Sequence, residues 1–365
     1  MKILGRYIIN IFLRFFFSGL IFFTGIIMIT DMFDIIPLIS EKKIPILTTI
    51  AYFGYKIPFV AFLITPVAVL LATISCFSLL LKNSEITAMK ASGVSLYKII
   101  LPVLTTAFFI SILAMGVNEF LIPLANTKAE YIKSIKIEGK QEDRNSYNAS
   151  FRTTGNRFLN IGMINDDSTM MKTVEIKDYQ ADNSISLRID AQTARWMDNQ
   201  WWLFDGIERR FSSPLSEGRV ISEQRFNKKR LDILETPDEI QDIIAADKVR
   251  AEKMSMVDLW RNITLLKRSG NGVEDKLVDF YLKTSFPFAS LIIALLGTSI
   301  ALQSTRGAIA AGFGLSIIVS FLYWESIGIG RSMGHEGVLP AILAAWLANI
   351  IFGVVGVFLL FRAKG

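Results

Sequence analysis

The sequence predicts a helical membrane protein with six spans and a β-rich soluble domain inserted between the third and the fourth. Three observations carry this. Hydrophobic residues make up 52% of the 365 residues, and the mean hydropathy is +0.42, too apolar for a soluble chain of this length. Apolar windows of about 20 residues, the length that crosses a hydrocarbon core of about 30 Å, recur in the first and last thirds. The middle third is instead polar and charged, with short alternating runs broken by Asn, Asp and Gly.

The first span is expected over about residues 9–31, with Arg14 near its inner end. The second covers about 57–81, placing Pro58 in its first turn, where a missing N–H costs little, and Pro66 inside. The third covers about 97–121 and stops at Pro123. The fourth, fifth and sixth cover about 279–302, 307–327 and 338–361, with Pro287 kinking the fourth. Lys2 and Arg6 precede an apolar run too long for a signal peptide, so the N-terminus reads as an uncleaved anchor. The domain boundaries expected are 1–123, 124–275 and 276–365.

Six spans put both termini on one side. Nine basic residues flank that side: Lys2, Arg6, Arg14, Lys82, Lys90, Lys98, Arg306, Arg362 and Lys364. Four flank the other: Lys42, Lys43, Lys56 and Arg331. The excess marks the cytoplasmic side and turns the soluble domain outward. The net charge of +6 follows from these flanks and does not call for nucleic acid.

Within the soluble segment, Ile185, Leu187 and Ile189 alternate with polar residues at the period of a half-buried strand. Runs 158–163, 173–179, 200–204 and 219–226 are similar, and Asp182-Asn183, Asp198-Asn199 and Ser212-Ser213-Pro214 supply turns. Such spacing suggests a sandwich or jelly-roll. Thr236-Pro237-Asp238-Glu239 is a helix start, with a cap, a Pro at the first position and a capping-box acid. Ser255 and Asp258 are positioned to cap a second helix.

The catalytic inventory is nearly empty. His335 is the one histidine and Cys76 the one cysteine, the latter in an apolar run, so a His/Cys metal cluster is excluded. No nucleophile elbow and no phosphate loop occurs. Neither metal nor cofactor is expected, and energy must come from outside the chain.

Between the second and third spans lies a polar island, Lys82-Asn83-Ser84-Glu85-Ile86-Thr87-Ala88-Met89-Lys90-Ala91-Ser92-Gly93. A short helix over 84–91, rich in small residues and carrying one acid, is what a membrane protein presents to a soluble partner. Ser84 can cap it and Gly93 can end it. Ala88 and Ala91 permit close approach, Met89 can fill an apolar pocket, and Glu85 can pair with a basic residue. Its alternative is an ordinary loop with a surface acid. Asp31, Asp34, Glu119 and Glu325 lie near the outer ends of spans, beside the basic Lys42, Lys43, Lys56 and Arg331. Each can be an interfacial anchor. Together they ring a zone able to meet an anionic headgroup or pair with a partner subunit. Phe15, Phe16, Phe17, Phe22 and Phe23 give the first span a bulky apolar face, suited to acyl chains or to lipid. Small residues, Gly307, Gly312 and Gly314 in span 5 and Ala341, Ala344, Ala345, Ala348, Gly353 and Gly356 in span 6, allow helices to approach closely, within one bundle or between subunits.

Ser84-Glu85-Ile86 with Met89, Ala91 and Gly93 resembles the coupling-helix signature of the lipopolysaccharide-export permeases, the LptF/LptG (YjgP/YjgQ) family. Arg6-Tyr7-Ile8 opening span 1, Asp31 and Phe33-Asp34 closing it, and an outward domain between spans 3 and 4 extend the resemblance over the chain. The stretch Ala344-Ala345-Trp346-Leu347-Ala348-Asn349 is similar to the LptG branch. The resemblance implies an α-helical inner-membrane protein with six transmembrane helices and an inserted periplasmic β-jelly-roll domain. It implies a noncatalytic permease that pairs with an LptF-like second permease, sits on an LptB-like ATPase dimer through Glu85, and passes lipopolysaccharide to an LptC-like bridge protein. Some members carry basic residues near the outer end of span 1 that contact lipopolysaccharide phosphates; here Asp31 and Asp34 stand there, so Lys42, Lys43, Lys56 or Arg331 substitutes or the headgroup is held differently. The rival readings are a permease for another lipid or a lipoprotein, a membrane-anchored scaffold, and a periplasmic enzyme. The enzyme would need a catalytic set within 124–275, where no His or Cys occurs.

Overall fold

The computed structural model describes residues 2–42, 44–138, 146–153, 157–165, 167–179, 185–211, 220–248, 251, 254–268, 272–303 and 309–362. The chain divides into two compact units. One comprises Met1–Gly139, Ala251–Met256 and Glu274–Gly365, and the other Lys140–Arg250 and Val257–Val273.

The first unit is helical. Its elements are α1 (Lys2–Glu41), α2 (Ile46–Lys82), α3 (Glu85–Ala91), α4 (Leu96–Gly116), α5 (Ile122–Tyr131), α8 (Glu274–Gln303), α9 (Ile309–His335) and α10 (Ala341–Arg362). Two helices of the second unit, α6 (Pro237–Lys248) and α7 (Met256–Arg268, whose first residue groups with the helical unit), fall between α5 and α8 in sequence.

Helices α1 and α2 are much longer than the apolar windows within them. At 40 residues, α1 is about 60 Å long, twice the thickness of a hydrocarbon core. Hydropathy marks the part of a helix that sits in lipid and says nothing of where its hydrogen bonding ends. One consequence is that Pro58 lies inside α2, twelve residues past its start, not in a first turn.

The third span also continues past its expected stop. Val117–Leu121 and Ile132–Ile137 are π-helical turns on either side of α5, so the helical stretch runs from Leu96 to Ile137. In an α-helix the Pro123 ring would clash with the carbonyl four residues back. The wider π turn immediately before it removes that clash, and Pro123 sits in the first turn of α5. The helical unit accordingly includes the chain through Gly139.

Five of the described helical stretches are both long and apolar enough to cross a membrane, where six were expected. The fifth expected span corresponds to α9. It is 27 residues long and carries Glu325 and Arg331 in its second half.

The bundle packs around α2 and α8. Ala68, Val69, Ala72, Cys76 and Phe77 of α2 join Ile8, Phe12 and Phe16 of α1 and Ile99, Val103 and Ala107 of α4 in one buried cluster. Leu70 and Ile74, on the other face of α2, join Ala289, Ile293 and Leu296 of α8, Tyr323 of α9 and Ala348 of α10. Hydrogen bonds tie α8 to its neighbours where lipid offers no alternative partner. Ser285 Oγ donates to Ala345 O at 2.8 Å, Ser299 Oγ to Gly356 O at 2.8 Å, and Gln303 Nε2 to Leu359 O at 2.9 Å. Tyr323 Oη donates to Asn349 Oδ1 at 2.8 Å, and Asn349 Nδ2 donates to Ser285 O at 2.7 Å. The small residues of span 6 serve this internal packing: Ala344, Ala345 and Ala348 are buried, and Gly356 lies against the Leu296 backbone. Gly307 lies outside the described residues.

The second unit is a six-stranded antiparallel sheet, β1 (Ser146–Arg152), β2 (Arg157–Ile164), β3 (Met170–Tyr179), β4 (Ile185–Met197), β5 (Gln200–Phe211) and β6 (Val220–Leu231), paired strictly in sequence order. The described strands form an up-and-down meander, and none of the crossovers of the expected sandwich or jelly-roll appears among them. Alternation and turn residues specify hairpins, but whether a strand pairs with its sequence neighbour is settled by the buried faces. Asp198 and Asn199 both take positive φ and close the β4–β5 hairpin with two residues, as their types favour. Ile189 is buried as the alternation requires, in a core with Leu159, Ile161, Ile176 and Trp201. The α6 residues Ile240, Ile243 and Ile244 close the same core. The start of α6 forms the expected reciprocal cap: Thr236 N donates to Glu239 Oε2 at 2.8 Å and Glu239 N to Thr236 Oγ1 at 3.4 Å.

Candidate functional site

The polar island folds as α3, a two-turn helix between α2 and α4. Its end is as expected: Gly93 takes φ +81°, Gly93 N donates to Lys90 O and Val94 N to Met89 O, both at 3.0 Å, which is a Schellman stop. Its start is not. Ser84 sits in the left-handed region at φ 58° and its side chain caps nothing, so the hydroxyl is exposed rather than spent on an orphan N–H. The chain must reverse between α2 and α3 within two residues, and the left-handed Ser84 provides that reversal.

Two faces of α3 follow. Ile86 is buried and Met89 packs against the same cluster of α1, α2 and α4 residues. Met89, half-buried, therefore helps to anchor the helix to its own bundle. Thr87, Ala88 and Ala91 are exposed, with Ser84 at one end and Gly93 at the other. Their spacing puts them on one side of the helix. The result is a shallow surface of small side chains on a rigidly held helix. Glu85 is half-buried beside it. Its Oε1 accepts from Tyr7 Oη at 3.2 Å and from Asn83 Nδ2 at 3.1 Å. Tyr7 stands in the first turns of α1, so α3 is linked to the start of α1 by this carboxylate. Sequence pattern singled out both residues, yet nothing in spacing joins positions 7 and 85.

The outer charges are largely satisfied inside the chain. Lys56 Nζ pairs with Asp31 Oδ2 at 2.6 Å, joining α1 and α2. Lys42 Nζ donates to the Glu138 carbonyl. Arg331 pairs with Asp279 through Nε at 2.9 Å and Nη2 at 3.1 Å, and His335 Nε2 lies 3.5 Å from the same carboxylate. Glu119 Oε2 accepts from Met256 N at 2.7 Å. Asp34 and Glu325 are exposed; Lys43 lies outside the described residues. The structure thus does not assemble Lys42, Lys56 and Arg331 into one cationic cluster. Asp279, the partner of Arg331, is not legible in the sequence because its role depends on α8 lying beside α9.

An apolar groove of about 490 Å³ opens between α1, α2 and α4, walled by Leu13, Phe16, Phe17, Phe62, Phe109 and Leu113. Phe16 and Phe17 come from the aromatic run of span 1, while Phe22 points outward. A second cavity of about 350 Å³ is bounded by Phe59, Phe62, Phe286, Trp324, Lys283 and Arg331. Among the described residues no group of His, Cys, Asp and Glu is arranged to hold a metal.

An anchored surface helix, long apolar helices and an inserted antiparallel sheet agree with the resemblance read from the motifs. Residues 6–362 match the family described as lipopolysaccharide export system permease LptF/LptG. The chain belongs to the LptF/LptG family. It is also 24% identical over 366 residues to the lipopolysaccharide export system permease protein LptG of Haemophilus influenzae, covering 99% of both chains. The geometry offers a surface helix at the end of the bundle, an apolar groove between α1, α2 and α4, and a sheet with two outer edges. Among the described strands, β1 and β6 are those edges.

Proposed function

We propose that this chain is an LptG-like permease subunit of an ABC-type complex that extracts lipopolysaccharide from the inner membrane and passes it to a periplasmic bridge. The observation that carries the reading is the two-faced α3. Ile86 and Met89 lock it to the bundle while Thr87, Ala88 and Ala91 leave a close-contact surface open. A rigid helix transmits a partner's movement, whereas a flexible loop would absorb it. The partner is an LptB-like ATPase dimer, with Glu85 at the edge of the contact.

In this reading α9 also crosses the membrane and brings the spans to six, both termini are cytoplasmic, and the sheet unit is periplasmic, as the excess of basic flanking residues indicates. A second, LptF-like permease covers the exposed apolar faces of α1 and α9. The groove walled by Phe16, Phe17 and Phe109 receives acyl chains, whose exposure to water costs about 0.8 kcal/mol per CH₂. An open sheet edge continues into an LptC-like bridge by strand addition. Since Lys56 and Arg331 are already paired, the headgroup exchanges partners with Asp31 or Asp279 to reach them, or is met by the second permease. The similarity to a curated LptG, together with the Ala344–Asn349 stretch, favours the LptG branch.

The test is to purify the assembled complex carrying Glu85→Lys or Ala88→Trp. Both should assemble poorly with the ATPase or hydrolyse ATP without extracting lipid, with the permease itself folded. Truncating one partner of a desolvated charge pair typically costs about 2–5 kcal/mol. Normal ATPase binding and normal extraction in both variants would remove α3 from the mechanism.

A further inference from the structure

A third cavity lies at the other end of the bundle from Arg331, between the first turns of α1 and α4. It has a volume of about 500 Å³ and is lined by Arg6 and Ile9 from α1 and Lys98, Leu101, Pro102 and Thr105 from α4, with Gly5 on its floor. Arg6 and Lys98 are exposed, and among the described residues neither has an ion-pair partner. No carboxylate lines the cavity. The nearby Glu85 is held by Tyr7 and Asn83.

Below the two cations the walls are apolar. Ile9 is one turn deeper than Arg6, and Leu101 and Pro102 are one turn deeper than Lys98. The Thr105 hydroxyl turns back to the Leu101 and Pro102 carbonyls, at 2.9 and 3.0 Å. Farther along α4, Leu101, Phe108 and Phe109 are exposed. Two free cations at the mouth of a crevice that continues into an exposed apolar helix face have the polarity of a membrane lipid, anion first and hydrocarbon behind. A soluble protein partner would fit only the mouth.

We propose that this cavity binds the phosphate headgroup of an anionic phospholipid of the inner leaflet, a phosphatidylglycerol or a cardiolipin, with Arg6 and Lys98 as its ligands and the acyl chains lying on Leu101 and Phe108. The leaflet rests on the cytoplasmic placement of the α1 and α4 starts; the site itself does not. Each cation near an anionic lipid surface is worth about a fivefold preference, so two give on the order of thirtyfold.

The experiment is native mass spectrometry of the full chain, released from nanodiscs of phosphatidylethanolamine with one-fifth phosphatidylglycerol or cardiolipin. Wild type and the Lys172→Gln control on the sheet should retain anionic lipid well above its share of the bilayer. The Arg6→Gln/Lys98→Gln double variant should retain it in proportion, and Arg6→Lys should keep most of the preference. Inorganic phosphate at millimolar concentration should not displace the lipid; displacement would reduce the site to one for free anions. Absence of preference in wild type, or full preference in the double variant, overturns the proposal. So does a double variant that keeps its lipid but loses a co-purifying soluble subunit. A reporter fusion at Ser92 reads the leaflet separately: an outward signal overturns the inner-leaflet assignment while leaving the lipid result to stand or fall alone.

Discussion

The contact between α9 and α10 gives a sharp test, because one substitution at two glycines of the same helix should act in opposite directions. A Cβ added at Gly330 would lie 2.5 Å from the Ala344 carbonyl oxygen, a backbone atom that no rotamer change can move. Ordinary contact begins near 3.4 Å, so the helices would have to part by about 0.9 Å. That movement also stretches the Tyr323–Asn349 bond, now 2.8 Å. Overpacking of this kind costs about 1–3 kcal/mol, against which Ala gains about 1 kcal/mol of helix propensity over Gly. Gly330→Ala should therefore be neutral to about 2 kcal/mol destabilising, and Gly330→Val clearly destabilising. At Gly328 nothing lies within 4 Å of the same Cβ, so Gly328→Ala should keep the propensity gain. The assay is thermal stability in mild detergent, followed by size exclusion, with reversible denaturation to place the difference at about 1–3 kcal/mol between the two Ala variants. Equal stability would refute the argument that the Ala344 carbonyl sets the α9–α10 distance. If Gly328→Ala is stable alone but weakens pairing with the second permease, its open face is the subunit interface.

Asn349→Leu should destabilise the bundle by about 1–3 kcal/mol, measured the same way, since it leaves the buried Tyr323 hydroxyl without its acceptor; pairing it with Tyr323→Phe should recover part of that loss. Tyr7→Phe should leave the fold intact but loosen α3, seen as faster hydrogen exchange over 84–91 and a lower ratio of transport to hydrolysis, because Glu85 then keeps only Asn83. In the sheet, burial works to raise the Glu175 carboxyl, but hydrogen bonds from Lys177 and Asn160 and the charge of Arg188 outweigh it and hold it below the usual carboxylate range. The unfolded chain then binds the proton more tightly, so Glu175 contributes stability above the unfolded value of about 4.5 that is lost as pH falls through the lower native value. Arg188→Gln should shift the acid edge of the sheet's unfolding, followed by intrinsic tryptophan fluorescence, to higher pH.

The sequence by itself determined what depends on local pattern. Apolar length located the five helical stretches long and apolar enough to cross a membrane, because hydrophobic burial in lipid reads composition over about 20 residues. Period-two alternation placed five of the six strands. Thr236 to Glu239 announced a helix start, and Gly93 a helix stop, because caps are made by neighbours in the chain. The one strand missed, β1, lacks a clear alternation: Ser146-Tyr147-Asn148-Ala149-Ser150-Phe151-Arg152 buries Ala149 and Phe151 and becomes a strand by pairing with β2. Only the tertiary structure decided the rest. Lys56 and Arg331 read as free cations until α1 and α8 brought Asp31 and Asp279 beside them. Met89 reads from sequence as a side chain for a partner's pocket, and only the packing of α3 sets it, half-buried, against α1, α2 and α4. Glu85 reads from sequence as an acid for a partner's basic residue, and only the packing of α1 brings Tyr7 to it. On α9 the small residues that set a helix distance are Gly330 and Gly334, which the sequence pattern did not single out, while Gly314 has open space around it. In each case the deciding group lies dozens of residues away or on another helix. Coulomb attraction, steric contact and hydrogen bonding act over a few ångströms of space, so a side chain's partner is fixed by which helices pack together and not by its neighbours along the chain.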